Sequence, residues 1–301
     1  MHIPDGFLSP PVWATLDILS VPAAGWIAHR AHRDTEDRKI PLMGVLGAFV
    51  FAAQMINFPI PLGTSGHLVG GALLTIVLGP ASAAVVMMAI LALQALVFQD
   101  GGIMALGANV VNMAIGGVVA AYIPFRAWGS TWRSAAIFTS GLLSVLVSAC
   151  LALSELAISG VPMPRSVLFL SFGLFAVSGI LEGAITLAVA RAIERLNPRW
   201  VVKPSQAGSR VVGAFAVVAV VLATLGILAG SAAPEVMEHL AGNFGIVAHS
   251  PGWLHAPLAD YEWKGMDSAW LRRASAALTG LALIYGACAI MGRFLTRQRS
   301  A

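Results

Sequence analysis

The chain has 301 residues, 58% hydrophobic and only 11% charged, with a mean hydropathy of +0.82. A soluble domain carries about 25% charged residues, so this composition excludes one. The net charge of +4 does not point to nucleic acid, because the basic residues sit between apolar runs, where they set orientation.

The chain opens Met1-His2-Ile3-Pro4-Asp5-Gly6-Phe7-Leu8, which lacks the basic region and leading apolar run of a signal peptide. The Met1 amine, the His2 amide nitrogen and His2 Nδ1 can close two fused chelate rings on one divalent ion. Three nitrogens in a plane suit Ni²⁺ or Cu²⁺ and can take Co²⁺. The competing reading is a His at position 2 by chance. Pro4 fixes φ after the chelate, and Gly6 permits a turn back toward the protein.

The first apolar segment is expected over residues 7–28, bent by Pro10, Pro11 and Pro22. A polar loop over 29–39 follows, with His29 and His32 as solvated residues and no third ligand nearby. A second helix is expected over 41–58. It leads into 57–67, an uncharged stretch whose prolines and glycines forbid regular helix and which ends in His67. Irregular backbone at membrane depth lines a site or is buried in protein, so His67 is the candidate fourth ligand, against a merely packed histidine. Residues 68–98 are apolar but broken by Gly79-Pro80, which predicts a short helix, a turn and a second helix.

A Gly-rich loop over 99–109 enters a fifth helix that is expected to end near 123, before a basic turn over 124–133. Gln54, Asn57, Gln94, Asn109 and Asn112 are candidates to orient a ligating imidazole, against simple interhelical hydrogen bonding. Helices over 135–158 and 167–190 each carry one acid, Glu155 and Glu182. A polar linker over 191–210 marks a boundary. Helices over 211–229 and 270–291 flank an acidic loop of roughly 40 residues.

The expectation is an all-α, polytopic helical membrane protein. It has about seven transmembrane helices plus a two-helix C-terminal extension, nine spans in all. The domains are expected over 1–200 and 201–301. With the N-terminus outside, 14 of the 18 Lys and Arg residues fall in inside segments. Met1-His2, His67 and the 99–109 loop then share the outer face. An acidic outer loop there raises the local cation concentration. Two other readings remain. A proton-coupled carrier would use Glu155 and Glu182, and an intramembrane metalloenzyme would need a base such as Glu155 or Asp100.

The opening MHIPDGFL, the segment NFPIPLGTSGHLVGGAL (57–73) and the segment LQALVFQDGGIMALGANVVNM (93–113) closely resemble the CbiM/NikM family. This family is the substrate-binding membrane component of energy-coupling-factor cobalt and nickel transporters. The resemblance covers about residues 1–200, and residues 205–301 resemble the accessory component CbiN or NikN fused to the same chain. Where the nickel branch often carries Pro-Asp-Gly-Leu-Glu, this chain has Pro234-Glu-Val-Met-Glu238. The resemblance implies that Met1, His2 and His67 hold the transported ion, Ni²⁺ or Co²⁺, with no prosthetic group and no catalysis by this chain. It implies a transmembrane coupling subunit and cytoplasmic ATPase subunits as partners, in a bacterial inner membrane. No Gly-x-x-x-x-Gly-Lys-Ser/Thr run is present.

Overall fold

The computed structural model describes residues 1–196, 209–228 and 256–297, and between them residues 230, 231, 233, 235, 236, 239 and 242. Residues 197–208 of the linker expected over 191–210, much of the outer loop, and the tail beyond 297 lie outside the described residues.

Helix α1 spans Pro10–Asp34, with a proline in its first turn, where the missing N–H costs nothing. Ile18, Leu19, Val21 and Trp26 face outward, as befits contact with lipid. The polar loop expected from residue 29 is instead the last turn of this helix. His32 and Arg33 lie there against the negative end of the helix dipole, and Arg30 pairs with Asp34 at 3.4 Å. His32 is tied to the main-chain carbonyl of Leu295, so it is not a solvated loop residue.

Helix α2, Ile40–Gln54, is buried on nearly every face. It stops earlier than expected, because the chain turns into an antiparallel hairpin of β1, Phe58–Ile60, and β2, Thr64–Gly66. Phe58 lies opposite Gly66 and Ile60 opposite Thr64. This hairpin is a small addition to an otherwise helical fold.

Helix α3, Gly71–Leu78, has eight residues, all buried. It is about 12 Å long and cannot cross a bilayer alone. The non-helical stretch before it, residues 67–70, is buried in protein, which is where irregular backbone is tolerated. Helix α4 follows as Pro80–Phe98, with the break at Gly79-Pro80 as expected. Helix α5 is Leu106–Trp128 and runs through Pro124 into the expected basic turn. Helix α6 is Arg133–Ile158, and α7 is Arg165–Leu196. The last turns of α7 outlast the expected boundary, because Glu194 pairs with both Arg133 and Arg191.

Helices α8, Ser209–Thr224, and α9, Ala269–Arg297, pack on α2. Glycine makes the approach of α9 close: a Cβ at Gly44 would meet the Tyr285 ring at 2.8 Å. Among the described residues, six helices are long and apolar enough to cross a membrane, and α2 and α8 are shorter apolar helices. The short helix expected before Gly79-Pro80 is α3, a buried half-helix.

Contacts sort the helix ends into two groups. Thr35 meets Ser82, and His32 meets Leu295, at the end rich in Lys and Arg. At the opposite end lie the N-terminal arm, the hairpin, the 99–105 loop and Tyr261.

Candidate metal centre

The first eight residues form an arm laid against the 101–105 loop. Ile3 donates its N–H to Asn109 Oδ1 at 2.8 Å and accepts from Asn109 Nδ2 at 3.1 Å and Gly102 N at 2.9 Å. Asp5 accepts from the N–H groups of Ile103 and Met104 at 3.1 and 2.8 Å. Gly6 takes φ 89°, the left-handed turn that brings the chain back to α1. Ile3, Phe7 and Leu8 are buried, so apolar burial and main-chain hydrogen bonds both hold the arm.

This anchoring carries Met1 and His2 to His67. The Met1 amino group lies 2.8 Å from His67 Nε2. The His2 and His67 rings stack at 5.2 Å between centroids and 9° between planes. His67 Nδ1 lies 2.8 Å from the Leu68 carbonyl oxygen. A carbonyl only accepts, so Nδ1 carries the proton and the Nε2 lone pair faces the amine. His2 is buried, and neither of its ring nitrogens has a hydrogen-bond partner among the described residues. Its Nδ1 faces Asp100 Oδ1 at 3.3 Å, an ion-pair distance without hydrogen-bond alignment. Buried imidazole nitrogens without partners are unusual in a folded protein and suit a ligand that brings its own bonds.

The backbone after His67 is held just as firmly. Glu182 on α7 accepts the N–H groups of Val69 and Gly70 at 2.8 and 2.9 Å. Gln54 donates to the Val69 carbonyl at 2.8 Å, and Gln94 donates to Gln54 at 2.8 Å. Asn109 thus steadies the residue next to His2, whereas Gln54, held by Gln94, acts on the backbone just after His67. Asn57 enters through its main-chain carbonyl, which accepts from Ser231 N at 2.7 Å. Asn112 is turned away toward Glu155, at 2.8 Å.

Two further groups come from the C-terminal segment. Glu235 Oε2 lies 2.6 Å from the Met1 amine and 3.5 Å from His67 Nε2. Tyr261 donates its hydroxyl to Asp100. Burial works against the charge on Glu235, but His67, the Met1 amine and His2 outweigh it and hold the carboxyl well below its usual range. Burial also opposes the charge on Asp100. The His2 imidazole beside it, with the Tyr261 hydroxyl, still pulls it down to about 2. Burial, then Asp100, push the Tyr261 phenol well above its usual value.

The ligand atoms of His2, His67 and Glu235 lie within 4.8 Å of one another. Metal–nitrogen bonds of about 2.0 Å at right angles leave neighbouring donors about 2.8 Å apart. The spacing between the Met1 amine and His67 Nε2 meets that requirement.

Comparison with known proteins gives the class. A solved structure titled as a truncated transition metal transporter matches with a TM-score of 0.58 and 30% identity, over 65% of this chain and 99% of its own. The protein is a multi-pass membrane component of cobalt or nickel transport. It belongs to the CbiM family: residues 2–200 match the cobalt uptake substrate-specific transmembrane region. A putative fused nickel transport protein NikMN of Archaeoglobus fulgidus is 37% identical over 277 residues, covering 89% of this chain and 90% of its own. The cobalt transport protein CbiM of Acetoanaerobium sticklandii is 36% identical over 199 residues, covering 63% of this chain and 82% of its own.

Proposed function

We propose that this chain captures Ni²⁺ or Co²⁺ at the outer face of a bacterial inner membrane as the substrate-specific component of an energy-coupling-factor transporter. The observation that carries the reading is the Met1 amine 2.8 Å from His67 Nε2, beside a buried His2 ring without hydrogen-bond partners. The ligands are the Met1 amine, the His2 amide nitrogen and Nδ1, and His67 Nε2. Four nitrogens in a plane suit square-planar Ni²⁺ and disfavour tetrahedral Zn²⁺. Sidedness rests on the Lys/Arg bias.

Binding proceeds by exchange. The ion loses water, the ammonium and the His2 amide each lose a proton, and the four nitrogens close around it. Release requires the arm to separate from His67, and partner subunits with ATPase activity supply the work, because this chain has no nucleotide-binding loop of the Walker type. Residues 1–200 form the metal-binding domain and residues 201–301 the accessory segment. The proton-carrier reading is weaker, because Glu182 is committed to two main-chain N–H groups and Glu155 to Asn112. Metal analysis of the purified protein, with competition between Ni²⁺ and Co²⁺, tests the reading. A preparation that holds neither ion would overturn it.

Protons compete with the ion for the amine and amide nitrogens, so affinity falls as pH falls. Two displaced protons give roughly a hundredfold loss per pH unit below the pKa of both groups. Equilibrium competition between pH 8 and pH 6 measures the slope, and a flat profile would remove both nitrogens from the site. Asn109→Ala frees the arm at Ile3 without touching a ligand. The expected result is a loss of about 10- to 100-fold in Ni²⁺ affinity with unchanged helical circular dichroism.

A further inference from the structure

We propose that Glu235 is the first protein group to take an incoming divalent ion, which it then passes to the nitrogen donors. The proposal rests on the nitrogen site argued above and assigns a task to the C-terminal segment.

Access supports it. The side chains of Met1, His2 and His67 are 6%, 4% and 2% exposed, whereas that of Glu235 is 19% exposed. Of these four groups, the nitrogen-bearing residues are sealed and the Glu235 carboxylate is the one that water reaches. An ionised carboxylate is a ready oxygen ligand for a hydrated divalent ion.

Geometry supports it as well. One oxygen, Oε2, contacts both the Met1 amine at 2.6 Å and His67 Nε2 at 3.5 Å. These two nitrogens must become neighbours on the ion. An ion bound to Oε2 therefore already lies beside two of its final ligands, and the His2 ring stacks on the second of them. As the nitrogens close, Glu235 gives up the ion and keeps a hydrogen bond from the coordinated amine. No covalent bond is made or broken.

Glu235 is itself held in place. Its backbone bridges Ser65 of β2, Ser65 donates its hydroxyl to the Ala233 carbonyl at 2.7 Å, and Val236 is buried. The carboxylate is therefore part of the site's construction and not the end of a loose side chain. Asp100 is 27% exposed but faces only the His2 side of the cluster, and Tyr261 holds it there. It does not span two donors as Glu235 does.

The test is stopped-flow binding of Ni²⁺ to the full chain, comparing wild type with Glu235→Gln and Glu235→Ala. The on-rate is expected to fall about tenfold or more in both, with the final absorption spectrum of bound Ni²⁺ unchanged. Asp260→Asn is the control, an exposed acid of the same segment that removes the same charge. Its on-rate should stay within about twofold of wild type at moderate salt. Unchanged rates in both Glu235 variants would overturn the proposal, as would an equal fall in Asp260→Asn, which would mean general steering. An altered final spectrum would make Glu235 a lasting ligand and overturn the hand-over. If the Gln and Ala variants fail to fold, Glu235→Asp carries the test: its shorter reach should still slow binding, and a wild-type rate would overturn the proposal. Failure of the nitrogen site itself reads differently, as wild-type protein without a nitrogen-ligated Ni²⁺ spectrum.

Discussion

His2→Ala is expected to abolish stoichiometric Ni²⁺ binding while the protein still inserts and folds. The substitution removes Nδ1 and with it one of two fused chelate rings, leaving a bidentate amine–amide pair that holds a divalent ion poorly at neutral pH. A loss of at least about a thousandfold, or about 4 kcal/mol, is expected. The fold should tolerate the change. Asp100, the ring's neighbour at 3.3 Å, is 27% exposed and keeps the Tyr261 hydroxyl, and the ring's stacking on His67 is worth only about 1 kcal/mol. Metal content after dialysis, with size-exclusion behaviour as the fold control, measures both. Retained stoichiometric Ni²⁺ would remove His2 from the site. His67→Ala should also weaken binding strongly, whereas His29→Ala, at an exposed position on α1, should not.

One residue inserted between Met1 and His2 should be nearly as damaging, although every side chain survives. The chelate needs the free amine directly before His2, because ring size depends on that spacing. The insertion also moves the amine from its 2.8 Å contact with His67, since Asn109 and Gly102 fix the arm at Ile3. A loss of about a hundredfold or more in affinity is expected, with thermal stability close to wild type. Normal binding by the extended protein would show that the amine is not a ligand.

Much of this was legible in the order of residues. The Met1-His2 pair carries its own chemistry. The prolines and glycines before His67 announce unwound backbone, which the structure forms as a hairpin and an extended run into α3. Helix limits were less legible. Helix α1 continues to Asp34 and α7 to Leu196 because charged residues there find partners. Arg133 and Glu194 are 61 positions apart, and no local pattern pairs them. Glu182 finds its partners in the main-chain N–H groups of Val69 and Gly70, which no side-chain pattern records.

The membrane class, the proposed chelate at Met1 and His2 and its proposed sidedness are read from hydrophobic run lengths, chelate ring size and the Lys/Arg bias. These are local properties that need no folded neighbour. Folding supplied Glu235 beside Met1, Tyr261 on Asp100 and Asn109 on Ile3, contacts that span 234, 161 and 106 positions. Packing of the helices decides such contacts, because a side chain's reach is a few ångströms and its sequence neighbours say nothing about which distant segment is brought within it.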